Sequence, residues 1–196
     1  MTQRKLNRDF YQSRDVVRMA RDLIGKLVVT VQGDQLTSGW ISECEAYAGV
    51  TDRASHAWNG RRTARTETMY HPGGVAYVYL CYGLHHMMNV VTGPEGEPHA
   101  ILIRSIFPVD GIEFMHERRG FPKPKTPLAA GPGTVCQALG ITRADDRTDL
   151  TGNRIWIEDR GVVVPDTEVK VTPRIGVDYA GDDARLPYRF VWVPGE

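Results

Sequence analysis

The sequence predicts a single α+β domain, in which helices flank a mainly antiparallel, curved sheet and a tyrosine-bearing β-hairpin protrudes. Its 196 residues suit one compact domain, and 41% hydrophobic against 24% charged residues excludes disordered and collagen-like classes. Short β-branched or aromatic segments separated by turn residues outnumber helical segments, which favours a sheet with helices around it. We assign residues 1–12 to an N-terminal extension and residues 13–196 to the domain.

Hydrophobic spacing predicts the first elements. Apolar residues recur at helical intervals from Ser13 to Ile24, with Ser13 as the expected N-cap and Gly25 as the stop. Two β-branched segments then predict a hairpin, with strands at 27–31 and 38–47 around a turn at 32–37.

A long polar stretch, residues 48–74, separates this hairpin from a second one. A loop of that length inside a compact domain usually carries function. Strands at 75–81 and 85–92 form the second hairpin, with its tip near Tyr82.

The remaining elements are shorter. Pro132 in a first turn and Gly140 beyond the end define a helix at 132–139. The other predicted segments are a helix at 109–119, a Pro/Lys loop at 120–127, and strands at 100–106, 154–157, 169–171 and 189–193.

Cysteine and histidine spacing predicts neither a disulfide framework nor a metal site. Cys44, Cys81 and Cys136 are far apart and odd in number, so we expect reduced thiols. His85 and His86 would point to opposite faces of a strand, and the other histidines lack a ligand spacing with cysteine. We therefore expect no metal and no cofactor.

The N-terminus lacks the apolar core of a signal peptide, and no run of 18 apolar residues occurs. We expect no membrane partner and a cytoplasmic location, nucleoid-associated in a bacterium and nuclear in a eukaryote. The 24 basic and 24 acidic side chains cancel, which taken alone is weak evidence against a nucleic-acid partner.

Two carboxylates lie close together in the strand at 38–47. Strand alternation places Glu43, Glu45 and Tyr47 on one face. Glu43 suits a solvated face equally well, whereas apolar neighbours indicate a partly buried Glu45 that can act as a general base for water. A hydrolase that uses Glu43 and Glu45 as a carboxylate pair is an alternative, weakened because both groups lie on one side of a substrate.

Three tyrosines fall within six residues of the second hairpin. Tyr77 and Tyr79 share a face, while Tyr82 has the opposite parity and lies at the turn. Aromatic pairing in a core explains such a cluster. A large exposed ring at a turn, however, favours contact with a partner.

These residues, together with others in the same order, resemble the alkyladenine, or 3-methyladenine, DNA glycosylase family. The resemblance spans roughly residues 20–193, and its order makes it more specific than any single motif. The matching segments are Glu45-Ala46-Tyr47, His56, Arg61 to Arg65, His71-Pro72-Gly73, Tyr77-Val78-Tyr79 with Tyr82-Gly83, Met88-Asn89, Leu102-Ile103-Arg104, Gly131-Pro132-Gly133, Cys136-Gln137-Ala138-Leu139 and Pro173-Arg174-Ile175-Gly176-Val177.

The resemblance implies a monofunctional, cofactor-free enzyme of base-excision repair. Such an enzyme flips alkylated or deaminated purines (3-methyladenine, 7-methylguanine, hypoxanthine, ethenoadenine) out of duplex DNA and hydrolyses the N-glycosidic bond, leaving an abasic site. Glu45 matches the general base, Arg104 matches the arginine that holds water and the nearby phosphate, and the carbonyl of Val177 matches a second water contact. No lysine lies between residues 27 and 122, so the sequence offers no amine near these residues for a Schiff base.

The resemblance also implies roles in base recognition. Tyr47 and Tyr79 match the rings between which the flipped base stacks, and His56 matches a contact to its Hoogsteen edge. Asn89 matches the residue that obstructs normal guanine, and Tyr82 matches the wedge that fills the gap in the duplex.

The charge distribution gains a meaning beside this resemblance. Basic groups concentrate in three segments, and acids concentrate in residues 143–186. We expect a polarised surface that contacts damaged double-stranded DNA, with the acidic segment mostly facing away and four arginines toward the DNA: Arg61, Arg62, Arg65 and Arg104. We expect a monomer, and a non-catalytic reader of damaged DNA is the alternative that retention of both Glu45 and Arg104 opposes.

Overall fold

The computed structural model describes residues 4–120 and 127–195, and within them nine strands form one curled, antiparallel sheet. The predicted α+β class is confirmed. The strands are β1 (Arg4–Lys5), β2 (Leu27–Gln32), β3 (Gln35–Tyr47), β4 (Ala76–Cys81), β5 (His85–Thr92), β6 (His99–Asp110), β7 (Ile155–Asp159), β8 (Val169–Thr172) and β9 (Arg189–Trp192). The sheet order is β1-β7-β2-β3-β6-β5-β4, and β9 pairs with β3 and β8.

The long strand β3 is the centre of the sheet. It pairs with β6 along one edge, and along the other with β2 as far as Trp40 and with β9 from Glu43 to Glu45. Register irregularities against β6 flank Glu43. Irregularities of this kind re-aim side chains and often lie beside active sites.

The predicted hairpin at 27–47 is present, but its turn is shorter than predicted. The expected turn at 32–37 was wrong at both ends, because strand pairing continues to Gln32↔Gln35. Gly33 supplies the positive φ of +58° that a tight turn needs.

Three α-helices occur within the described residues: α1 (Val16–Leu23), α2 (Ile112–Arg118) and α3 (Pro132–Leu139). Helix α1 is confirmed, but its N-cap is Asp15 rather than Ser13, because the Asp15 carboxylate accepts the Arg18 N–H over 2.9 Å. Its buried face packs on β3.

Helix α2 begins later than predicted. Strand β6 continues to Asp110, and Gly111, at φ +68°, separates strand from helix, so the expected helix start at residue 109 was wrong. Helix α3 has the predicted bounds, with Pro132 first and Gly140 in the left-handed conformation behind it. Residues 121–126 of the predicted Pro/Lys loop lie outside the described residues.

The core lies between the sheet and its helices. Its fully buried side chains include Leu23, Ile41, Ile101, Leu139 and Ile157. None of the helices in the described part of the chain is long and apolar enough to cross a bilayer.

The segment that we assigned to an N-terminal extension packs onto the domain. Strand β1 pairs with β7, and residues 8–12 form a 3₁₀ helix that buries Tyr11 completely. The Tyr11 carbonyl accepts the N–H of Gly93 over 2.8 Å, and a Cβ on Gly73 would lie 2.1 Å from the same oxygen. Glycine is therefore required at position 73 for this close approach.

The predicted loop at 48–74 contains three short 3₁₀ helices, Gly49–Thr51, Trp58–Gly60 and Glu67–Tyr70. The helix Glu67–Tyr70 contacts β4 and β6, which positions the loop against the residues described next.

Candidate active site

A cavity of about 430 Å³ opens between β3, the β4–β5 hairpin and the loops at 48–74 and 173–179. Eight of the sequence-predicted site residues line it: Tyr47, His56, Arg65, Tyr79, Tyr82, Asn89, Arg104 and Val177. Glu45, Arg61 and Arg62 do not. The volume is within the range of small-molecule sites.

Glu45 lies directly behind the wall of this cavity. Its side chain is 0% exposed. Oε2 accepts hydrogen bonds from the Tyr47 hydroxyl over 2.8 Å and from Arg104 Nη1 over 3.4 Å, and Oε1 accepts the main-chain N–H of Ile175 over 2.8 Å. Three donors thus offset the cost of burying the carboxylate, and all three residues line the cavity.

Glu43 is engaged in a different way. Its Oε1 accepts Nε of Arg104 over 2.9 Å and Nε of Arg189 over 2.7 Å. Arg104 therefore bridges the two carboxylates that the sequence placed on one face, and its side chain is largely buried. Because Glu43 is committed to two arginines, it serves to anchor Arg104, and the carboxylate-pair alternative loses its second acid.

Tyr47 remains a hydrogen-bond donor. Burial, followed by the negative charge of Glu45, raises the pKa of its phenol well above the usual range. The phenol therefore stays protonated and donates to Glu45, while the ring faces the cavity.

His56 is part of a cluster with two tyrosines. Its Nδ1 lies 3.0 Å from the Tyr77 hydroxyl, and its ring contacts Tyr79 edge-on at 4.8 Å between centroids. Burial, helped by Arg65 and Arg61, lowers the pKa of His56 to about 4. The imidazole is therefore neutral at physiological pH and can both donate and accept hydrogen bonds.

Tyr77 is a site residue that the sequence analysis did not select. It is nearly fully buried, burial raises its pKa to about 12, and its carbonyl accepts Nδ2 of Asn89 over 3.1 Å. It therefore orients two predicted pocket residues, His56 and Asn89. Its shared parity with Tyr79 was the available signal.

Tyr82 lies at the turn of the β4–β5 hairpin. Its side chain is 93% exposed, and its φ is +50°, followed by Gly83 at +71°. A bulky residue with positive φ is strained, and such strain clusters at functional positions. Leu84 beside it is also exposed.

The four predicted DNA-facing arginines differ in environment. The Arg65 guanidinium lies over the Tyr79 ring at 4.9 Å, inside the cavity wall. Arg62 instead pairs with Glu67 at 2.7 Å and lies over Tyr70. Arg104 is buried as described, and Arg61 lines a neighbouring cavity.

Part of the acidic segment, which we expected mostly to face away, lies beside this region. Tyr179 lines the cavity, and the Asp183 carboxylate accepts the main-chain N–H of Arg53 over 2.8 Å. The run Asp178–Arg185 therefore packs beside the loop at 48–74.

Arg174 and Asp52 form a buried ion pair that our sequence analysis did not predict. Arg174 Nη2 lies 2.9 Å from Asp52 Oδ1, and Nη1 donates to the Ala46 carbonyl over 2.9 Å. The guanidinium also lies 4.8 Å from the centroid of the Tyr47 ring. The pair thus supports Tyr47 from behind and fixes the loop that carries Ile175.

Within residues 4–120 and 127–195, no group of three or more histidine, cysteine, aspartate or glutamate side chains could hold a metal ion. The three cysteines are free thiols. Cys44 and Cys136 are buried, whereas Cys81 is partly exposed and lines the cavity.

Comparison with known proteins gives a consistent result. The family model described as methylpurine-DNA glycosylase matches residues 9–195. Relatives provisionally named 3-methyladenine DNA glycosylase come from Chlamydia pneumoniae (45% identity, covering 96% of this chain and 95% of the relative), Myxococcus xanthus (44%, 96% and 89%) and Clostridium acetobutylicum (43%, 95% and 93%).

Proposed function

Since this chain belongs to the methylpurine-DNA glycosylase family and is a DNA glycosylase, we propose that it removes alkylated and deaminated purines from duplex DNA. The proposed substrates are 3-methyladenine, 7-methylguanine, hypoxanthine and ethenoadenine. Hydrolysis of the N-glycosidic bond leaves an abasic site with both strands intact.

One observation carries the proposal: a fully buried carboxylate, Glu45, lies directly behind a cavity walled by Tyr47 and Tyr79. Aromatic walls suit any planar base because stacking needs no sequence-specific contact. A carboxylate beside the sugar of that base can activate water.

The base reaches this cavity by leaving the helical stack. Flipping costs a few kcal/mol and costs least for damaged or mispaired bases. Tyr82 at the exposed turn inserts into the gap and offsets part of that cost. Stacking on Tyr47 and Tyr79 contributes roughly 1–3 kcal/mol per base.

Hydrolysis then proceeds at C1′ of the deoxyribose. The water oxygen bonds to C1′, its proton passes to Glu45, and the C1′–N bond breaks with its electron pair going to the purine. The negative charge of Glu45 also stabilises the oxocarbenium-like sugar. Arg104 and the Val177 carbonyl position the water.

Access to Glu45 requires one of its three partners to move. Arg104 makes the longest of the three contacts, 3.4 Å, and Glu43 retains it through Nε when Nη1 shifts. We therefore place the water between Glu45 and Arg104.

Lesion charge decides how the purine departs. Purines alkylated at N3 or N7 are cationic and become neutral as they leave, whereas hypoxanthine needs a proton. His56 contacts the Hoogsteen edge, and Asn89 obstructs the exocyclic amine of normal guanine.

The proposed enzyme is monofunctional, monomeric and cytoplasmic. A lyase reaction needs an amine to form a Schiff base with the sugar. Among the described residues, no lysine lines the cavity. Lys26, directly before β2, is paired with Asp159.

The test is single-turnover incubation of duplexes carrying one hypoxanthine, ethenoadenine or 7-methylguanine, followed by alkali. Wild type is compared with Glu45→Gln, which keeps the shape of the side chain. Strand breaks that need alkali and need wild-type protein are expected. Intact strands with tight binding would indicate a reader of damage, and breaks without alkali would indicate a lyase.

A further inference from the structure

A second cavity, of about 570 Å³, lies beside the first and shares His56 and Tyr179 with it. The rest of its lining is Arg53, Ser55, Trp58, Arg61 and Gly181. No role for this cavity follows from the catalytic reaction itself.

The lining has the composition of a nucleotide site. Trp58 is 45% exposed and Tyr179 is 70% exposed, so two aromatic rings face solvent at this place. Among the described residues, no acidic side chain pairs with the guanidinium of Arg53 or Arg61, and no acidic residue lines the cavity. Two free guanidinium groups attract a phosphate, and exposed rings attract a base.

The aromatic and basic groups are already arranged with respect to each other. The Arg53 guanidinium lies 5.7 Å from the centroid of the Trp58 ring. The Tyr179 hydroxyl donates to the Ala54 carbonyl over 3.1 Å. The Asp183 carboxylate accepts the main-chain N–H of Arg53, so it holds the loop at this place.

Position relative to the first cavity indicates the ligand. A flipped purine in the first cavity stays attached to its strand until the C1′–N bond breaks. The nucleotides on either side of it in that strand must therefore lie near the opening of the first cavity. His56 and Tyr179 form the wall between the two cavities, so the second cavity lies next to the opening of the first. The adjacent nucleotide of the damaged strand is therefore within reach.

We propose that the second cavity binds the nucleotide next to the lesion in the damaged strand. Its phosphodiester lies between Arg53 and Arg61, and its base or sugar packs on Trp58. This inference rests on the proposed function, because it assumes that the lesion nucleotide is flipped toward the first cavity. It makes Trp58 a DNA-binding residue that acts without sequence preference.

Binding to an uncleavable abasic-site analogue tests the inference without requiring catalysis. Fluorescence anisotropy gives the Kd of wild type, Trp58→Ala, Trp58→Phe and Arg53→Gln for duplexes with the analogue in the middle. Two further duplexes carry a damaged strand that ends directly 5′ or directly 3′ of the analogue. Glycosylase activity on hypoxanthine is measured separately.

Trp58→Ala should raise the Kd for the central site roughly tenfold, the effect of losing one stacked base, and Trp58→Phe should restore most of it. Wild type and Trp58→Ala should bind one of the two shortened duplexes with equal Kd, because that duplex lacks the nucleotide that packs on Trp58. Arg53→Gln should reduce the slope of log Kd against log salt by about 0.9. Arg18→Gln replaces an exposed arginine of α1 that pairs with Asp22 and lines neither cavity, so it is the matched control and should leave the slope unchanged.

A Trp58→Ala effect that persists on both shortened duplexes would overturn the inference, as would equal Kd values for wild type and both variants at the central site. Either result leaves the proposed function intact if hypoxanthine is still excised. If wild type does not excise hypoxanthine but Trp58→Ala still raises the Kd, the proposed function alone is refuted.

Discussion

Ile175 donates its main-chain N–H to Oε1 of Glu45 over 2.8 Å, from a position 130 residues further along the chain. A loop near the C-terminal end of the sequence therefore supplies one of the hydrogen-bond donors to the Glu45 carboxylate on β3. That loop is held by its neighbour Arg174, whose guanidinium pairs with Asp52 and packs against Tyr47. One of the three donors to Glu45 thus depends on a buried ion pair elsewhere in the domain.

Asp52→Asn should destabilise the fold by about 3 kcal/mol, because removing one partner of a buried pair leaves the other charge uncompensated. Arg174 and Asp52 are 0% and 1% exposed in their side chains, and Asp52 also accepts the N–H groups of Ala48 and Ala54. Urea unfolding measures the change. Glu67→Gln breaks the exposed pair with Arg62 and is the matched control, expected to unfold like wild type. Equal stability of the two variants would contradict the role of the Arg174–Asp52 pair.

His56 should make stability depend on pH. Its pKa of about 4 in the folded protein is below its unfolded value of 6.5, so the unfolded chain takes up the proton first as pH falls. The stabilisation is present above pH 6.5 and is lost progressively toward pH 4. Between pH 7 and pH 5 the loss should be about 2 kcal/mol. His56→Gln should lack this component in urea unfolding at the two pH values, and an NMR titration of His56 with a midpoint near 6.5 would refute the explanation.

Arg65 should influence which lesions are preferred. Its guanidinium lies 4.9 Å from the Tyr79 ring, where a cationic purine would meet a like charge. Arg65→Ala should therefore raise the ratio of 7-methylguanine to hypoxanthine excision two- to fivefold, the equivalent of roughly 0.5–1 kcal/mol. Single-turnover rates on both lesions give the ratio, and Arg62→Ala, outside the cavity, should leave it unchanged. A uniform loss on both lesions would instead assign Arg65 to the phosphate backbone.

The sequence predicts those parts of the fold that local spacing determines. The hydrophobic period gives α1 and α3, and β-branched segments give β2, β3 and the β4–β5 hairpin. Parity along β3 correctly places Glu43 and Glu45 on one face, as their shared contact with Arg104 shows.

Long-range relationships leave no such local signal. Asp52 and Arg174 are separated by most of the domain, and neither residue lies in a charged pattern that would single it out. The predicted start of α2 at residue 109 was wrong because pairing with β3 extends β6 to Asp110. Net charge by segment does not specify where a loop packs, so the contact between Asp183 and Arg53 was not predicted.

Tyr82→Ala should reduce excision from paired lesions more than from single-stranded ones. In a duplex, a lesion base that flips out of the stack leaves a gap that an inserted ring fills. A single strand has no such gap to stabilise. The 93% exposure of Tyr82 and its positive φ of +50° are consistent with a ring held ready for a partner outside the chain.

The measurement is the single-turnover rate on hypoxanthine in double- and single-stranded oligonucleotides. Leu84→Ala removes another exposed apolar side chain from the same turn and controls for nonspecific loss of surface. Equal reduction on both substrates would exclude a wedge, because only the duplex offers the space that a wedge occupies.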